Sequence, residues 1–282
     1  MRITRLPRPS RRLALLGAAA AAGLSVTAIT LPGAAGAAPR QQERPTIVLE
    51  HGAFADASSW DGVVQRLQRA GYPVVAAANP LRGPATDAAY LRSVVENIDG
   101  PVVLVGHSYG GTVISQAAAG LEDKVKALVY IAAFLPEAGE SSLGLTNKFP
   151  GSTLGQAIEP VAYALPDGSQ GADVYIKPDK FHQQFAADVP KDKARLMATG
   201  QRPVAAAALE EKSTQAAWKT IPSWSLVTTE DLNIPVAAQR FMSARAHAHT
   251  TEIDASHAVS VSRPDAVTRI VEKAARTVRR PA

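Results

Sequence analysis

The feature that most constrains the fold is the pentapeptide Gly106-His-Ser-Tyr-Gly110, which matches the pattern G-x-S-x-G. It follows the short β-branched, apolar run Val102–Val105 and precedes the small, mostly apolar stretch Thr112–Ala119, so we expect a buried strand before it and a helix after it. A serine on so sharp a turn needs glycine at the flanking positions, because larger side chains would collide there. This context favours Ser108 as an exposed nucleophile over an incidental serine in a glycine-rich turn.

The rest of the chain alternates predicted strands with predicted helices. Strands are predicted at Thr46–Glu50, Tyr72–Ala77, Lys126–Ala133, Ser223–Thr229 and around Thr250–Ile253. Helices are predicted over 63–70, Asp87–Ile98 and Val236–Ala246, and from Ser262 onwards. Such alternation is typical of a parallel, doubly wound sheet. The predicted fold class is therefore α/β, with a mostly parallel central sheet and helices on both faces.

From about residue 137 to residue 222 this alternation stops, and we call this segment the cap. Pro150-Gly151 and Asp167-Gly168 predict turns, and Pro190–Met197 and Val204–Lys212 predict short helices. An insertion of this size between two core strands is most simply a cover over a site at the edge of the sheet.

The first 37 residues have the composition of an export signal. They contain five arginines and no acidic residue. The weakly hydrophobic stretch Leu13–Leu31 follows the arginines, and Ala35-Gly-Ala37 fits an A-x-A cleavage site. Ser10–Leu15 resembles a twin-arginine signal. We expect residues 1–37 to be removed and the domain 38–282 to be secreted or extracytoplasmic in a bacterium, without stable membrane insertion. Retention of the apolar stretch as a membrane anchor is the alternative.

The charge of the chain gives no support to nucleic-acid binding. The formal net charge is +5, from 30 basic and 25 acidic residues, and the five arginines of the leader account for it. Without them the charges balance, and no basic stripe with interleaved aromatic residues occurs. The absence of cysteine excludes disulfides, thiolate metal sites and cysteine nucleophiles. No G-x-G or S-x-x-K pattern occurs, so neither a dinucleotide cofactor nor a lysine-assisted serine is expected.

A serine nucleophile needs a base to take its proton and a third group to orient that base. Ser108, Asp231 and His257 each follow a predicted strand, in the chain order serine, acid, histidine. The carboxyl ends of parallel strands share one edge of the sheet, so these three side chains are predicted to converge there as nucleophile, acid and base.

Other residues compete for the roles of base and acid. The further histidines are His51, His107, His182, His247 and His249. The first two flank the glycines of turns and are expected to support the site. The last two are expected on a solvated surface, because a metal site would need a third ligand. His182 is expected in the core or on the surface of the cap, and contact with the substrate is the alternative. Glu137, at the end of the strand before the cap, is an alternative acid to Asp231, whereas Glu230 is expected to be solvated.

The tetrahedral intermediate of acyl transfer needs hydrogen-bond donors for its oxyanion. One donor is expected to be the backbone N–H of Tyr109, the residue after the nucleophile. The other should come from the first strand–helix loop, where Ala53 is the first choice and Phe54 the second.

Taken together, these segments resemble the α/β-hydrolase superfamily, and more narrowly the bacterial relatives of plant methylesterases and hydroxynitrile lyases. The segments concerned are Thr46–Trp60, Gly106–Gly111, Ala132–Ser141, Asp231 and His257. The resemblance implies an α/β-hydrolase fold and a serine hydrolase for small esters, with a compact cap and neither cofactor nor metal. Hydroxynitrile lyases of this group carry a lysine directly after the catalytic histidine, and here that residue is Ala258, which favours the esterase.

Other functions remain open from the sequence. The same triad serves in perhydrolysis, in thioester or amide cleavage, and in cyanohydrin cleavage. A ligand-binding module on a hydrolase scaffold is the alternative from a different class, because a fold alone does not determine a function.

Overall fold

The structure, a computed structural model, describes residues 44–278. The predicted export signal at 1–37, with its cleavage site, lies outside the described residues, as do residues 38–43 and 279–282. Within 44–278, no helix has both the length and the apolar character needed to cross a membrane.

The described part of the chain forms nine β-strands and eleven α-helices, numbered here in chain order. The strands are β1 (Thr46–Glu50), β2 (Val74–Ala77), β3 (Val102–His107), β4 (Val125–Ile131), β5 (Ile158–Ala164), β6 (Gln170–Ile176), β7 (Val204–Ala205), β8 (Ser223–Thr228) and β9 (His249–Ile253). The helices are α1 (Asp61–Arg69), α2 (Pro84–Glu96), α3 (Tyr109–Ala117), α4 (Ser142–Asn147), α5 (Leu154–Ala157), α6 (Pro178–Phe185), α7 (Lys191–Gly200), α8 (Ala206–Glu210), α9 (Val236–Arg245), α10 (Val259–Ser262) and α11 (Pro264–Val278).

Six strands form the central sheet in the order β2-β1-β3-β4-β8-β9, and every neighbouring pair is parallel. Parallel strands that are covered on both faces become nearly continuous apolar runs. Strands β1 and β3 show this, because every residue of both is buried. The predicted α/β class with a parallel central sheet is confirmed, and the carboxyl ends of β3, β8 and β9 lie at one edge.

Helices cover both faces of this sheet. Along β1, Val48 packs into a core shared with α2 and α3, whereas Ile47 and Leu49 pack into a second core shared with α1 and α11. This alternation follows from the period of two in a β-strand. The sheet is thereby held between two apolar layers, which fixes the positions of the loops at its edge.

Helices α2 and α3 each begin three residues earlier than the sequence predicts. Helix α3 begins at Tyr109, three residues before the predicted start, and α2 begins at Pro84 instead of Asp87. Proline is well accepted in the first helical turn, where its missing N–H costs no hydrogen bond. The Asp87 carboxylate accepts hydrogen bonds from the N–H groups of Arg82 and Gly83, so it holds the loop that leads into α2.

The cap contains a small sheet that the sequence analysis missed. Strands β5, β6 and β7 form an antiparallel sheet, and Gly168, with φ of +85°, lies in the turn between β5 and β6. The prediction of a helix from Val204 is wrong for its first two residues, which form β7, and correct for α8. Most residues of β5 are half-buried or exposed, so the strand lacks the buried apolar alternation that predicts a strand.

Candidate active site

Ser108 lies between the last residue of β3 and the first residue of α3, in a strained backbone conformation. Its φ is 54° and its ψ is −124°. Residues with a Cβ atom rarely adopt this backbone conformation, which costs about 1–3 kcal/mol. The surrounding backbone holds this conformation, since Ser108 N–H donates to the Ile131 carbonyl at 3.2 Å and the Ser108 carbonyl accepts from Gly111 at 3.0 Å and from Phe134 at 3.2 Å. The predicted sharp turn from strand to helix is present at this serine.

Glycines around this turn allow backbone segments to approach each other closely. A Cβ atom on Gly106 would lie 2.6 Å from the Gly110 carbonyl oxygen, and one on Gly110 would lie 2.5 Å from the Glu50 carbonyl oxygen. A Cβ atom on Gly52 would lie 2.6 Å from the Cβ of Ser108. The loop after β1 therefore lies directly against Ser108, and this approach depends on glycine at residue 52.

Asp231 and His257 form a buried hydrogen-bonded pair. Their Oδ2 and Nδ1 atoms lie 2.7 Å apart, and the exposed fractions of the two side chains are 0% and 1%. Four other donors reach the carboxylate: the N–H groups of Asn233 (2.7 Å) and Ile234 (3.0 Å), the Gln239 amide (3.0 Å) and the Thr228 hydroxyl (3.1 Å). With Asp231 acting only as an acceptor, Nδ1 of His257 carries the hydrogen and Nε2 is left as an acceptor.

Two aromatic rings and two backbone bonds hold His257 in place. The Nε2–H of His107 donates to the His257 carbonyl at 2.9 Å, and the two imidazole rings lie 4.7 Å apart. Burial, and secondarily the neighbouring His257, lowers the pKa of His107 to about 3, so this ring is neutral. Phe185 of the cap packs edge-on against the His257 ring at 5.0 Å, and its carbonyl accepts from Ala258 N–H at 2.9 Å. His107 thus lies where the sequence predicts a supporting residue.

The backbone N–H groups beside Ser108 differ in whether they are already bonded. The N–H of Phe54 donates to the Arg202 carbonyl at 2.9 Å. Phe54, the second choice for an oxyanion donor, therefore has its N–H already bonded. The N–H groups of Ala53 and Tyr109 donate to no acceptor within residues 44–278. Tyr109 is the first residue of α3, where a backbone N–H has no partner within the helix. Two free donors therefore flank Ser108.

A cavity of about 260 Å³ opens onto these groups. From the core it is lined by Ala53, Phe54, Ser108, Tyr109, Phe134, Asn233, Ile234 and His257, and from the cap by α4, residues 152–156, Ile158 and Leu209. Ser108 and His257 therefore face one space, although no hydrogen bond joins their side chains. Catalytic hydrogen bonds often shorten only when substrate binds.

Several predicted alternatives lie elsewhere. Glu137 forms an ion pair with Lys219 and does not contact His257, so the structure brings Asp231, and not Glu137, to the histidine. His51 is buried between loops, where Nδ1–H donates to the Gly52 carbonyl at 2.9 Å and Nε2 accepts from Asn79 N–H at 3.0 Å. Burial lowers the pKa of His51, which keeps it neutral in this role.

The remaining histidines lie away from the cavity. The ring of His182 bonds to the Val189 carbonyl at 2.9 Å, and the ring of His249 packs 5.0 Å from that of Trp224. His247 has a positive φ of 49°. Across the described residues, no cluster of three potential metal ligands occurs.

The sequence analysis missed the side chains that orient Asp231 and Tyr109. Gln239 donates to Asp231, and its Oε1 accepts from the Thr228 N–H at 3.1 Å, which links the carboxylate to β8. The Tyr109 hydroxyl donates to Asp87 at 2.8 Å, and burial, reinforced by this carboxylate, raises the tyrosine's pKa. The sequence around a polar residue on a neighbouring helix does not identify its hydrogen-bond partner, because the packing of the fold determines that partner.

Comparison with known proteins gives matches to one family. Residues 47–270 match the alpha/beta hydrolase family. The protein named alpha/beta hydrolase nvfD, from Aspergillus novofumigatus, is 28% identical over 82% of this chain and 97% of its own length. Methylesterase 2 of Arabidopsis thaliana is 25% identical over 72% of this chain and 84% of its own length. The crystal structure of polyneuridine aldehyde esterase superposes with a TM-score of 0.72 at 21% identity, covering 82% of this chain and 99% of that one.

These matches confirm the resemblance to α/β-hydrolases and methylesterases. The family match spans the first strand, the Ser108 turn, the cap and both members of the Asp231–His257 pair. The solved structure shares the fold over 82% of the chain. With a parallel sheet, a strained serine turn and a sequence match over most of its length, the chain belongs to the alpha/beta hydrolase family.

Proposed function

We propose that this protein hydrolyses small carboxylic esters through an acyl-enzyme on Ser108. Ester hydrolysis as a class is supported by the family and by relatives such as Methylesterase 2, whose names describe esterases. The observation that carries the serine mechanism is local: Ser108, two free backbone N–H groups and a histidine bonded to a buried carboxylate line one cavity.

In the proposed first step, the Ser108 Oγ attacks the ester carbonyl while Nε2 of His257 takes its proton. Asp231 stabilises the imidazolium that forms, and its four other donors keep it oriented. The N–H groups of Ala53 and Tyr109 bind the developing oxyanion. Collapse of the intermediate breaks the bond to the alcohol oxygen, which leaves with the proton from His257.

In the second step, water replaces the alcohol. His257 takes a proton from the water as it attacks the acyl carbonyl, and the acyl–Ser108 bond breaks with return of that proton to Oγ. The free carboxylic acid then leaves. Among the described residues no lysine lines the cavity, so the positive charge that the resemblance associates with cyanohydrin cleavage is not supplied there.

The test is hydrolysis of p-nitrophenyl esters from acetate to octanoate by the purified protein and its Ser108→Ala variant. We expect kcat to fall by about 10⁶-fold in the variant, because the acyl-enzyme cannot form. Ser152→Ala is the matched control: it removes a hydroxyl that lines the same cavity and should change kcat less than about threefold. Activity that survives in Ser108→Ala would refute the mechanism.

We further propose that residues 1–37 direct export through a twin-arginine route, on the basis of their arginines and their A-x-A site. Amino-terminal sequencing of the protein from the culture medium of its host tests this. A mature amino terminus at Ala38 is expected, and an intact leader on a cytoplasmic protein would contradict the proposal.

A further inference from the structure

The residue before His257 is bonded to a carboxylate of the cap. Ser256 is 2% exposed, and its hydroxyl donates a hydrogen bond to Oδ1 of Asp188. Asp188 lies in the turn between α6 and α7, and its side chain is 15% exposed. Hydrogen bonds to an ionised acceptor are stronger than those between neutral groups. The cap therefore makes a strong bond directly beside the proposed base.

The turn that carries Asp188 is itself anchored to α6. The N–H of Val189 donates to the Ala186 carbonyl at 3.0 Å, and the Val189 carbonyl is bonded to the ring of His182 at 2.9 Å. These bonds hold the backbone that follows Asp188. A side chain on a supported backbone positions its partner more precisely than a side chain on a free loop. The Asp188 carboxylate is thus presented to Ser256 in a defined direction.

The second oxygen of this carboxylate lies towards another residue near the base. Oδ2 of Asp188 is buried and has no hydrogen-bond donor within residues 44–278, and Nη1 of Arg263 lies 3.9 Å from it. Arg263 directly follows α10, whereas Ser256 precedes both His257 and that helix. Asp188 therefore interacts with both ends of the segment that presents His257.

This segment depends on bonds from other elements because its first part is irregular. Residues 254–258 lie between β9 and α10 and belong to neither. Backbone outside helices and strands is held by the other partners that the fold supplies. Here the Phe185 carbonyl, at the end of α6, accepts from Ala258 N–H at 2.9 Å. The residues on both sides of His257 are therefore bonded to the end of α6 or to the turn that follows it.

Other bonds attach the cap to the core, so Asp188 is not needed for that attachment. Three of them join Arg202 to Phe54 at 2.9 Å, Gln184 to Leu232 at 2.8 Å and Trp218 to Pro136 at 2.9 Å. Asp188 does not line the cavity beside Ser108. Loss of its bond with Ser256 should therefore leave the cap attached and the cavity lined as before, and should act on the loop of His257.

We propose that Asp188 is a positioning residue: through Ser256 it holds the loop of His257 in the orientation from which Nε2 takes the Ser108 proton. This inference rests on the proposed esterase function and adds a residue to its machinery. The acceptor oxygen of Asp188 carries the effect, because it is the atom bonded to Ser256. A displaced base slows the chemical step, whereas the cavity that binds the substrate is unchanged. The expected signature is a lower kcat with little change in KM.

Four variants separate this bond from the rest of the cap. Asp188→Ala removes the acceptor and leaves the Ser256 hydroxyl with the Phe185 carbonyl at 3.4 Å, and Ser256→Ala removes the donor. Asp188→Asn keeps the shape, and the Ser256 hydroxyl can donate to its Oδ1 or accept from its Nδ2. Asp167→Ala is the matched control, because Asp167 also accepts from a serine hydroxyl of the cap, that of Ser169 at 2.7 Å, but does so in the turn between β5 and β6.

The first measurement is steady-state hydrolysis of p-nitrophenyl butanoate. Because a misplacement of about 1 Å costs about 10²-fold, we expect kcat to fall by about 10- to 100-fold in Asp188→Ala and in Ser256→Ala, with KM within about threefold of the wild type. The double variant should be no slower than the slower single variant, because both substitutions remove the same bond. Asp188→Asn should restore most of the lost kcat, and Asp167→Ala should keep all of it. A raised KM at unchanged kcat, or Asp188→Asn as slow as Asp188→Ala, would overturn the proposal.

The second measurement needs no turnover and so separates this proposal from the proposed function. Hydrogen–deuterium exchange, followed by mass spectrometry, is compared for peptides that cover residues 254–263 and for peptides of β3. Exchange within 254–263 should rise by about tenfold or more in both alanine variants, and should stay unchanged in Asp188→Asn and Asp167→Ala and throughout β3. If the wild-type protein hydrolysed no ester, the esterase alone would be refuted, and this exchange would still decide the role of Asp188. Unchanged exchange in a folded alanine variant overturns that role, and either alanine variant is enough for the comparison if the other does not fold.

Discussion

The closeness of the loop after β1 to Ser108, the proposed nucleophile, can be tested by placing a single methyl group between them. In Gly52→Ala, the added Cβ would lie 2.6 Å from the Cβ of Ser108 and 2.8 Å from the carbonyl oxygen of His107. Carbon atoms in favourable contact are about 3.5–4.0 Å apart, so one of the two segments must move by about 1 Å. The residue that follows is Ala53, whose free N–H is the proposed oxyanion donor.

The expected size of the effect follows from this displacement. Misplacing a positioned group by about 1 Å costs about 10²-fold, and loss of one oxyanion donor costs about 10²- to 10³-fold in kcat. We therefore expect kcat for p-nitrophenyl butanoate to fall by about 10²- to 10³-fold, which corresponds to about 3–4 kcal/mol. KM should change little, because the donor acts mainly in the transition state. Overpacking should also lower the free energy of unfolding by about 1–3 kcal/mol.

The assay combines steady-state kinetics with thermal unfolding, and Gly155→Ala serves as the control. Gly155 also lines the cavity, but a Cβ atom there would meet nothing within 4 Å. Its variant should keep both kcat and the unfolding temperature. If folded Gly52→Ala protein kept kcat within about threefold of the wild type, the loop would not depend on glycine, and Ala53 would not be a positioned donor.

Two further predictions concern buried carboxyl groups. Asp231→Asn should lower kcat by about 10⁴-fold, because an amide can present its N–H to His257 and stabilise the wrong tautomer. Steady-state kinetics with the folded variant test this, and a loss of kcat below tenfold would contradict it. Glu50 is buried with both carboxylate oxygens unpartnered, and burial, followed by repulsion from Asp87, raises its pKa well above the usual 4.5. The folded protein then holds a proton that the unfolded chain releases, so stability should fall as pH rises above about 4.5 towards the raised pKa. Glu50→Gln should reduce this loss, measured as a smaller fall of the unfolding temperature between pH 5 and pH 8, and an unchanged slope would contradict it.

Much of the candidate site could be predicted because its sequence signals are local. The β-branched run before Gly106 predicts a buried strand, and the flanking glycines predict a sharp turn at Ser108. Asp231 and His257 could be placed together because both follow strands of a parallel sheet, whose carboxyl ends meet at one edge. The distance of 2.7 Å between them agrees with that argument from topology.

The parts that could not be predicted depend on partners distant in sequence. Gln239, in α9, and Asn233, in the loop after β8, reach Asp231 only through the fold, and nothing in their sequence context distinguishes them. Strand β5 carries Pro160 and is mostly exposed or half-buried, so its pairing with β6 has no apolar alternation to predict it. The ion pair of Glu137 with Lys219 likewise brings together residues 82 positions apart.

The cap contacts both loops that carry the proposed acid and base, although its sequence has little regular apolar pattern. On one side, Thr153 N–H and Gln184 Nε2 both donate to the Leu232 carbonyl, at 3.0 and 2.8 Å, and so hold the loop that carries Asp231. On the other side, the Phe185 carbonyl binds Ala258 N–H at 2.9 Å, beside His257. Gln184 and Phe185 are adjacent residues of α6, so one short helix is bonded to the loops of both the acid and the base.

A substitution that displaces α6 would therefore disturb the cavity wall and the Asp231–His257 pair at the same time. Phe181 lies in this helix, is fully buried and packs 5.0 Å from the Phe185 ring, without contacting the histidine ring in the way that Phe185 does. Phe181 is therefore linked to the His257 ring through the ring of Phe185. The cap is thus bonded to both loops that carry the proposed acid and base, Asp231 and His257.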